Sequence, residues 1–360
     1  MRTPLYDHHL ALGAKMVPFS GWDMPLHYQG ILHEHQIVRE HVGLFDVSHM
    51  GRISVKGPDA ERLLNFLSTN QIAGKKAGSA TYTVLCYENG GCVDDTIIYK
   101  IDENHFFLIA NASNREKDFA HLSNYASQNA YDVQIEESFS QTGIIALQGP
   151  KAQDLLTSFI PEIADLKPMQ FMLISNDEKG PFFVARCGYT GSGGYELYGN
   201  NTDIIDWWEK LLERGKEFQI EPIGLGARDS LRLEVGFALY GHELSDSIFA
   251  NDSIAAWTIK WEKPNFLGKE ALLKHDSSKK FAYGICLLEG GIPRQDYLIF
   301  KDQIEIGVVT SGGFSPGLNK GIALILSQVP LQLKDIIAVQ IRQTFYPAEV
   351  VELPFVRKTG

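Results

Sequence analysis

The sequence predicts an α+β protein: two related α+β units followed by a small antiparallel β-barrel or sandwich. Three observations predict it. Hydrophobic spacing alternates between helical and strand periods, one strand-into-helix pattern occurs twice, and after residue 273 the chain changes to short β-rich runs broken by Gly, Pro and Asp.

Taking the elements in order, residues 5–15 and 30–42 carry apolar side chains at helical spacing, whereas residues 81–87 and 96–101 have the β-branched, aromatic and alternating character of strands. The repeat pairs Val55-Lys56-Gly57-Pro58-Asp59-Ala60-Glu61-Arg62-Leu63-Leu64 with Leu147-Gln148-Gly149-Pro150-Lys151-Ala152-Gln153-Asp154-Leu155-Leu156. In each copy Gly should end a strand and Pro should open a helix at its first position, where a missing N–H costs nothing. Both copies fall within the first 270 or so residues. Beyond them, residues 283–288, 305–310, 322–326 and 336–341 read as strands of the C-terminal sheet. We therefore expect one region over residues 1–275 and a second over 276–360.

Bulk properties exclude several classes. A chain of 360 residues that is 44% hydrophobic can bury large cores. Its net charge of −11, with no run of five Lys/Arg, argues against nucleic acid. Cys86, Cys92, Cys187 and Cys286 form no CxxC pair, and no segment reaches the roughly 20 apolar residues of a membrane span. The first 18 residues carry charges and two histidines where a secretory leader is apolar, so a cytoplasmic protein is expected.

Several familiar motifs fail on physical grounds. Gly313-Phe314-Ser315-Pro316-Gly317 spells G-x-S-x-G, but Pro316 has no N–H to donate to an oxyanion, so a turn between barrel strands is the expectation. Gly224-Leu225-Gly226-Ala227-Arg228-Asp229 places a carboxylate where a dinucleotide site needs its third glycine. His33-Glu34-His35 and His41 lack metal-helix spacing and read as surface histidines; no metal site is expected.

Three segments remain. In Asn89-Gly90-Gly91-Cys92-Val93-Asp94-Asp95-Thr96 a glycine turn feeds two acids into an apolar strand, so one of them can face a pocket while the other caps the turn or meets solvent. In the glycine-rich hairpin of residues 186–198, Glu196 sits within a strand and offers a carboxylate to a flat heterocycle carrying adjacent N–H donors. On residues 226–236, Arg228 and Arg232 share a helix face and suggest an anionic partner, although Asp229 can pair with Arg232.

Together with Pro18-Phe19-Ser20-Gly21-Trp22, Gly43-Leu44-Phe45-Asp46-Val47-Ser48-His49-Met50, Gly188-Tyr189-Thr190-Gly191 and Val309-Thr310-Ser311-Gly312, these segments resemble the glycine-cleavage T-protein family over essentially the whole chain. The resemblance implies a three-domain cloverleaf: two interleaved α+β units around a folate-holding channel, and a C-terminal antiparallel β-barrel. It implies an aminomethyltransferase that moves a one-carbon unit from the lipoyl arm of H-protein to tetrahydrofolate. Carried over by position, Asp95 matches the catalytic acid and Glu196 the acid that holds the pteridine. Tyr82, Asn111 and Tyr189 match folate contacts; Arg228, Trp257 and Arg294 match positions near the ligand or its polar tail.

The chain departs from the family pattern at Ser192-Gly193, where acids are usual, at Ile248-Phe249-Ala250, where Thr-Thr-Pro is usual, and at Arg342-Gln343-Thr344-Phe345-Tyr346, where further basic residues are usual. A folate-binding protein of iron–sulfur assembly has the same fold but a Lys-Gly-Cys-Tyr-type motif, against Cys187-Gly188-Tyr189-Thr190 here. A folate-dependent demethylase stays open on motif alone, whereas a folate-binding regulatory module would have no need of Asp95, and the Asp94-Asp95 pair tilts the reading toward catalysis.

Overall fold

The computed structural model describes residues 1–177, 180–275 and 280–357. The strands, in chain order, are β1 Lys15–Phe19, β2 Trp22–His27, β3 Val42–Asp46, β4 Gly51–Lys56, β5 Ser79–Cys86, β6 Cys92–Lys100, β7 His105–Ala110, β8 Gln134–Glu137, β9 Thr142–Gln148, β10 Phe171–Asp177, β11 Gly180–Ala185, β12 Gly194–Asn200 and β13 Ile220–Ile223. The helices are α1 Tyr6–Ala11, α2 Ile31–Glu40, α3 Ala60–Leu67, α4 Arg115–Gln128, α5 Ala152–Thr157, α6 Asn201–Arg214, α7 Leu225–Glu234 and α8 Lys269–His275.

Two sheets interleave in sequence. One has the order β10-β11-β12-β9-β3-β13, and the other, β5-β6-β7-β4-β8, is inserted between β3 and β9. Strand periodicity explains the layering. On β9, Ile145 and Leu147 join Leu155, Leu156, Ile204 and Trp208 of α5 and α6 in one core. Ile144 and Ala146 face the other way, into a core shared with Tyr99, Phe107 and Ile109 of the second sheet. The outer face of that second sheet packs Ile53, Val55, Phe106 and Leu108 against α3 and α4 through Leu63, Leu64 and Leu122. The order is therefore helices, sheet, sheet, helices, with the two sheets face to face.

The repeated Gly-Pro pattern does join strand to helix twice, β4 to α3 and β9 to α5. Gly57 and Gly149 hold φ of +135° and +128°, and a Cβ there would lie 2.4 Å from Asp132 O and 2.3 Å from His41 O, so only glycine fits. The prolines stand earlier than expected: Asp59 and Lys151 cap the helices and Ala60 and Ala152 open them, so Pro58 and Pro150 shape the approach and not the first turn.

The expected helix over 5–15 stops at Ala11, because Gly13 (φ +75°) turns the chain into β1. The expected strand 305–310 is longer, running Ile304–Ser315.

The C-terminal strands are β14 Phe281–Leu287, β15 Leu298–Lys301, β16 Ile304–Ser315, β17 Lys320–Ser327, β18 Ile336–Ile341 and β19 Thr344–Val351. They close as an antiparallel barrel in the order β14-β17-β16-β15-β18-β19, filled by Ile285, Leu287, Val309, Ile325, Val339 and Val350. Leu233 of α7 packs against Ile322 and Leu324 of β17 and joins barrel to body. No helix among the described residues is long and apolar enough to cross a membrane.

Candidate functional site

The site lies between the facing sheets because of strand parity. Asp95, Ile97 and Tyr99 alternate onto one face of β6, and Glu196 and Tyr198 onto one face of β12. Ile97, Tyr99 and Tyr198 all meet in the core between the sheets.

Asp95 is half-buried and paired on both oxygens. Tyr82 Oη donates to its Oδ2 at 2.9 Å and Asn111 Nδ2 to its Oδ1 at 2.9 Å. Tyr82 comes from β5, whose Val84 stands opposite Asp95 in the ladder. Burial, and then the charge of Asp94, push the Asp95 carboxyl up to about 7.

Asp94 behaves differently from the sequence expectation. It neither caps the turn nor meets solvent but is fully buried on the opposite face of β6. There it accepts Asn111 N at 2.9 Å, Asn111 Nδ2 at 2.8 Å and Asn114 Nδ2 at 2.7 Å at the start of α4. One turn further on, Asp118 is 1% exposed and neither of its oxygens meets an N–H donor. Burial, and then the neighbouring Asp94 carboxyl, raise its carboxyl well above the usual carboxylate range. A buried acid beside a second carboxyl favours its neutral form, and a proton on Asp118 shared with Asp94 is the expectation that two variants test. Asp118→Asn, whose amide can supply the same donor, should keep the wild-type unfolding midpoint in urea. Asp118→Ala should lose about 1–3 kcal/mol, the usual cost of stripping a partner from a buried acceptor. Equal loss in both variants would sink the shared-proton account.

Glu196 is 8% exposed. Its Oε2 accepts the Cys187 thiol at 3.2 Å and a second bond from Tyr198 Oη. Two donors saturate that oxygen, which leaves Oε1 as the open acceptor.

Tyr189 turns its hydroxyl to Ala238 O and stacks on Phe237, with centroids 5.8 Å apart. The Arg228 guanidinium lies 4.6 Å over the Tyr189 ring, in the combined field of Tyr189 and Glu196. His49, 4% exposed, is pulled down to about 3 by burial and then by Arg228, so it stands neutral beside that cation. Trp257, 62% exposed, stacks on Tyr82 at 5.8 Å.

Tyr82, Asp95, Asn111, Tyr189, Arg228, Glu196 and Trp257 are thus linked by contacts or by mutual electrostatic influence, Tyr189 feeling both Asp95 and Arg228. Arg294 stands apart on the barrel, with its guanidinium exposed and bonded at 3.4 Å to Gly312 O. Arg232 is not a ligand-facing partner of Arg228: it is buried and bonded to Asp229 at 2.8 Å, Glu243 at 3.2 Å and Ser311 at 2.9 Å.

One expectation about the rejected motifs needs correction and another holds. His35 is no surface histidine; it is 1% exposed and bonds Ser230 at 2.8 Å and Glu234 at 3.1 Å, because α2 packs that face on α7. The G-x-S-x-G segment does lead into the turn between β16 and β17, at residues 316–319, and Ser315, fully buried at the end of β16, donates to Glu234 at 2.6 Å and so helps dock the barrel. Sequence reasoning also missed Asn114, Asp118, Tyr99, Tyr198 and Cys187. The i+2 steps from Asp95 to Ile97 to Tyr99 and from Glu196 to Tyr198, and the i+4 step from Asn114 to Asp118, were the signals available.

Comparison with known proteins gives this architecture a class. Residues 5–263 match the GCVT N-terminal domain, and residues 283–357 match the glycine cleavage T-protein C-terminal barrel domain. The chain belongs to the glycine cleavage T-protein family. It is 39% identical to an aminomethyltransferase of Oceanobacillus iheyensis and 41% identical to one of Bacillus cytotoxicus, in each case over 99% of this chain and 98% of the relative. The crystal structure of glycine cleavage system aminomethyltransferase T from Bartonella henselae superposes with a TM-score of 0.92 at 33% identity, covering 100% of this chain and 99% of that one.

Proposed function

We propose that this chain transfers the methylene carbon of an aminomethyl group, carried on the lipoyl arm of H-protein, to tetrahydrofolate. The observation that carries the reading is Asp95: a half-buried carboxyl raised to about 7, held from both sides by Tyr82 and Asn111, on the face of β6 that looks toward the opposite sheet and its Glu196-bearing strand β12. A structural acid would be expected near its ordinary range or paired with a cation.

The residues fit a folate. Glu196 keeps Oε1 free for the N–H donors of a pteridine, Tyr82 with Trp257 and Tyr189 with Phe237 supply flat walls, and Arg228 is a cation that stacks on Tyr189 and is suited to an anionic group. Arg294, exposed on the barrel, is proposed for the polar tail on the family resemblance alone.

In the balanced reaction the two folate nitrogens each form a bond to the methylene carbon. The C–N bond to the departing amine and the C–S bond to the lipoyl sulfur break, and the two nitrogen protons end on ammonia and on the thiol. Asp95 at about 7 is poised to hold one of those protons and, once ionised, to stabilise cationic character at the carbon. Tyr82 and Asn111 fix its direction, and the sheets exclude water behind it. The family resemblance supports a cytoplasmic enzyme that meets H-protein transiently.

Ammonia release from aminomethylated H-protein, with and without tetrahydrofolate, tests the reading. Strong folate-dependent release supports it; folate binding with no release overturns it in favour of a demethylase or regulatory module. The same assay gives a pH prediction. With ionised Asp95 as the active form, kcat/KM rises with pH along a limb near 7 and then levels. Asp94→Asn removes the second cause of the raised value, so the limb moves to lower pH. A limb that stays in place shows that Asp95 is not the group titrating.

A further inference from the structure

The phenol of Tyr99 occupies a position that the reaction itself does not call for. It lies four residues beyond Asp95 on the same face of β6, fully buried, and reaches across to the other sheet. Its Oη is 2.8 Å from Tyr198 Oη and 3.3 Å from Cys187 Sγ. Those two groups are the ones that bond Glu196 Oε2.

Counting protons fixes the direction of the two bonds to Glu196 and limits the other two. The four contacts among Tyr99, Tyr198, Cys187 and Glu196 have three hydrogens available when Glu196 is a carboxylate. Glu196 can only accept, so Tyr198 and Cys187 must each spend their hydrogen on Oε2. Both are then left as acceptors for the single Tyr99 hydrogen, which goes to Tyr198 Oη, the nearer at 2.8 Å, or is shared with Cys187 Sγ at 3.3 Å. Orientation is thus transmitted one way, from β6 through Tyr198 and Cys187 to the carboxylate on β12.

We infer that Tyr99 is a positioning residue that sets the direction of Glu196 from the strand bearing Asp95, so that the folate-holding acid is held relative to the catalytic one by a hydrogen-bonded bridge between the two sheets. The inference rests on the reading of Glu196 as the pteridine anchor. The ring of Tyr99 is separately fixed by packing: Phe171, Phe183 and Tyr198 lie with centroids 5.3–5.4 Å away. The hydroxyl can therefore be removed without disturbing the core, which makes Tyr99→Phe a clean probe.

Equilibrium binding of tetrahydrofolate monoglutamate, under reducing conditions, is measured for the wild type, Tyr99→Phe, Glu196→Gln and the double variant, with thermal unfolding of each. Tyr99→Phe is expected to weaken binding roughly three- to tenfold, the span of one hydrogen bond. In the Glu196→Gln background the same change is expected to cost less than about twofold, because the group through which it acts is altered. Saturating folate should restore turnover to within about twofold of wild type, an effect on KM and not kcat. A merely structural tyrosine would lower affinity and unfolding temperature equally in both backgrounds; that result, or unchanged affinity in Tyr99→Phe, overturns the inference. If Glu196→Gln alone leaves binding unchanged, the anchor reading fails first and separately. Cys187→Ser, which keeps a donor to Oε2, should bind folate more tightly than Cys187→Ala; equal binding removes Cys187 from the bridge.

Discussion

Replacing Asp95 with Asn lowers folate-dependent ammonia release by roughly 10²- to 10⁴-fold, the usual contribution of a positioned acid–base group, and leaves tetrahydrofolate affinity within a few-fold of wild type. The amide fits the same place. Its oxygen accepts Asn111 Nδ2, and its NH2 faces the Tyr82 hydroxyl, which turns to accept. What the variant lacks is a group that ionises near pH 7 inside the site.

Stability supplies an independent readout. The folded carboxyl titrates near 7 and the unfolded one near its ordinary value, so between them the folded state binds more protons and stability falls as pH rises. The amide of Asp95→Asn carries no such cost, and the variant should unfold at a higher temperature than wild type at pH 8 and at a similar one near pH 4. Turnover within a few-fold of wild type would falsify the catalytic assignment; a variant less stable at pH 8 would contradict the burial argument behind the raised value.

The largest structural effect is expected at Glu234, the last residue of α7. Its Oε1 accepts Ser315 Oγ at 2.6 Å and Gly317 N at 2.9 Å from the barrel. Its Oε2 accepts His35 Nε2 at 3.1 Å and Arg39 Nη2 at 2.7 Å from α2. Arg39 continues to Thr190 O at 2.6 Å, the residue after Tyr189, so one buried carboxylate joins barrel, body and the Tyr189 loop. Glu234→Ala leaves the half-buried Arg39 guanidinium and the buried His35 imidazole without their anion, at a cost of about 3–5 kcal/mol.

Burial by itself would raise the Glu234 carboxyl, but the bonds from His35, Ser315 and Arg39 outweigh it and hold it at about 2. A depressed folded value means that the stabilisation is complete above the unfolded carboxylate range and is lost as pH falls toward 2. The gap between wild type and Glu234→Ala in urea unfolding should therefore be full at pH 7 and narrow between about pH 4.5 and 2. A gap below 1 kcal/mol at pH 7, or one of constant size, would show that the carboxylate does not dock the barrel.

The Gly-Pro repeats, the two acids entering a strand and the run of short C-terminal strands were legible because each is a local conflict or a local period. Glycine before proline forces a turn, acids in apolar strands need a reason, and strand spacing repeats every second residue. Arg228 and Arg232 were not separable in this way. They share a helix face in sequence, yet Asp229 and Glu243 neutralise one, while the other rests on Tyr189, and Glu243 comes from a loop eleven residues on. His35 was misread for the same reason: the amphipathic pattern of α2 shows one apolar stripe, and only the packing of α7 shows that a histidine beside it is covered.

By itself the sequence determined the class of fold, the repeated strand-to-helix units, the barrel and the family to which the chain belongs, along with Asp95 and Glu196 as the acids worth following. Those features depend on short-range spacing and on residue types whose backbone or burial demands are strong. Only the tertiary structure decided that Asp94 turns to the helix side while Asp95 faces inward, that Asp118 is buried behind them without an N–H donor, and that Tyr99 joins two sheets. Each of these depends on which side of a strand meets which neighbour, and on the charge and water excluded there, quantities set by residues distant in the chain.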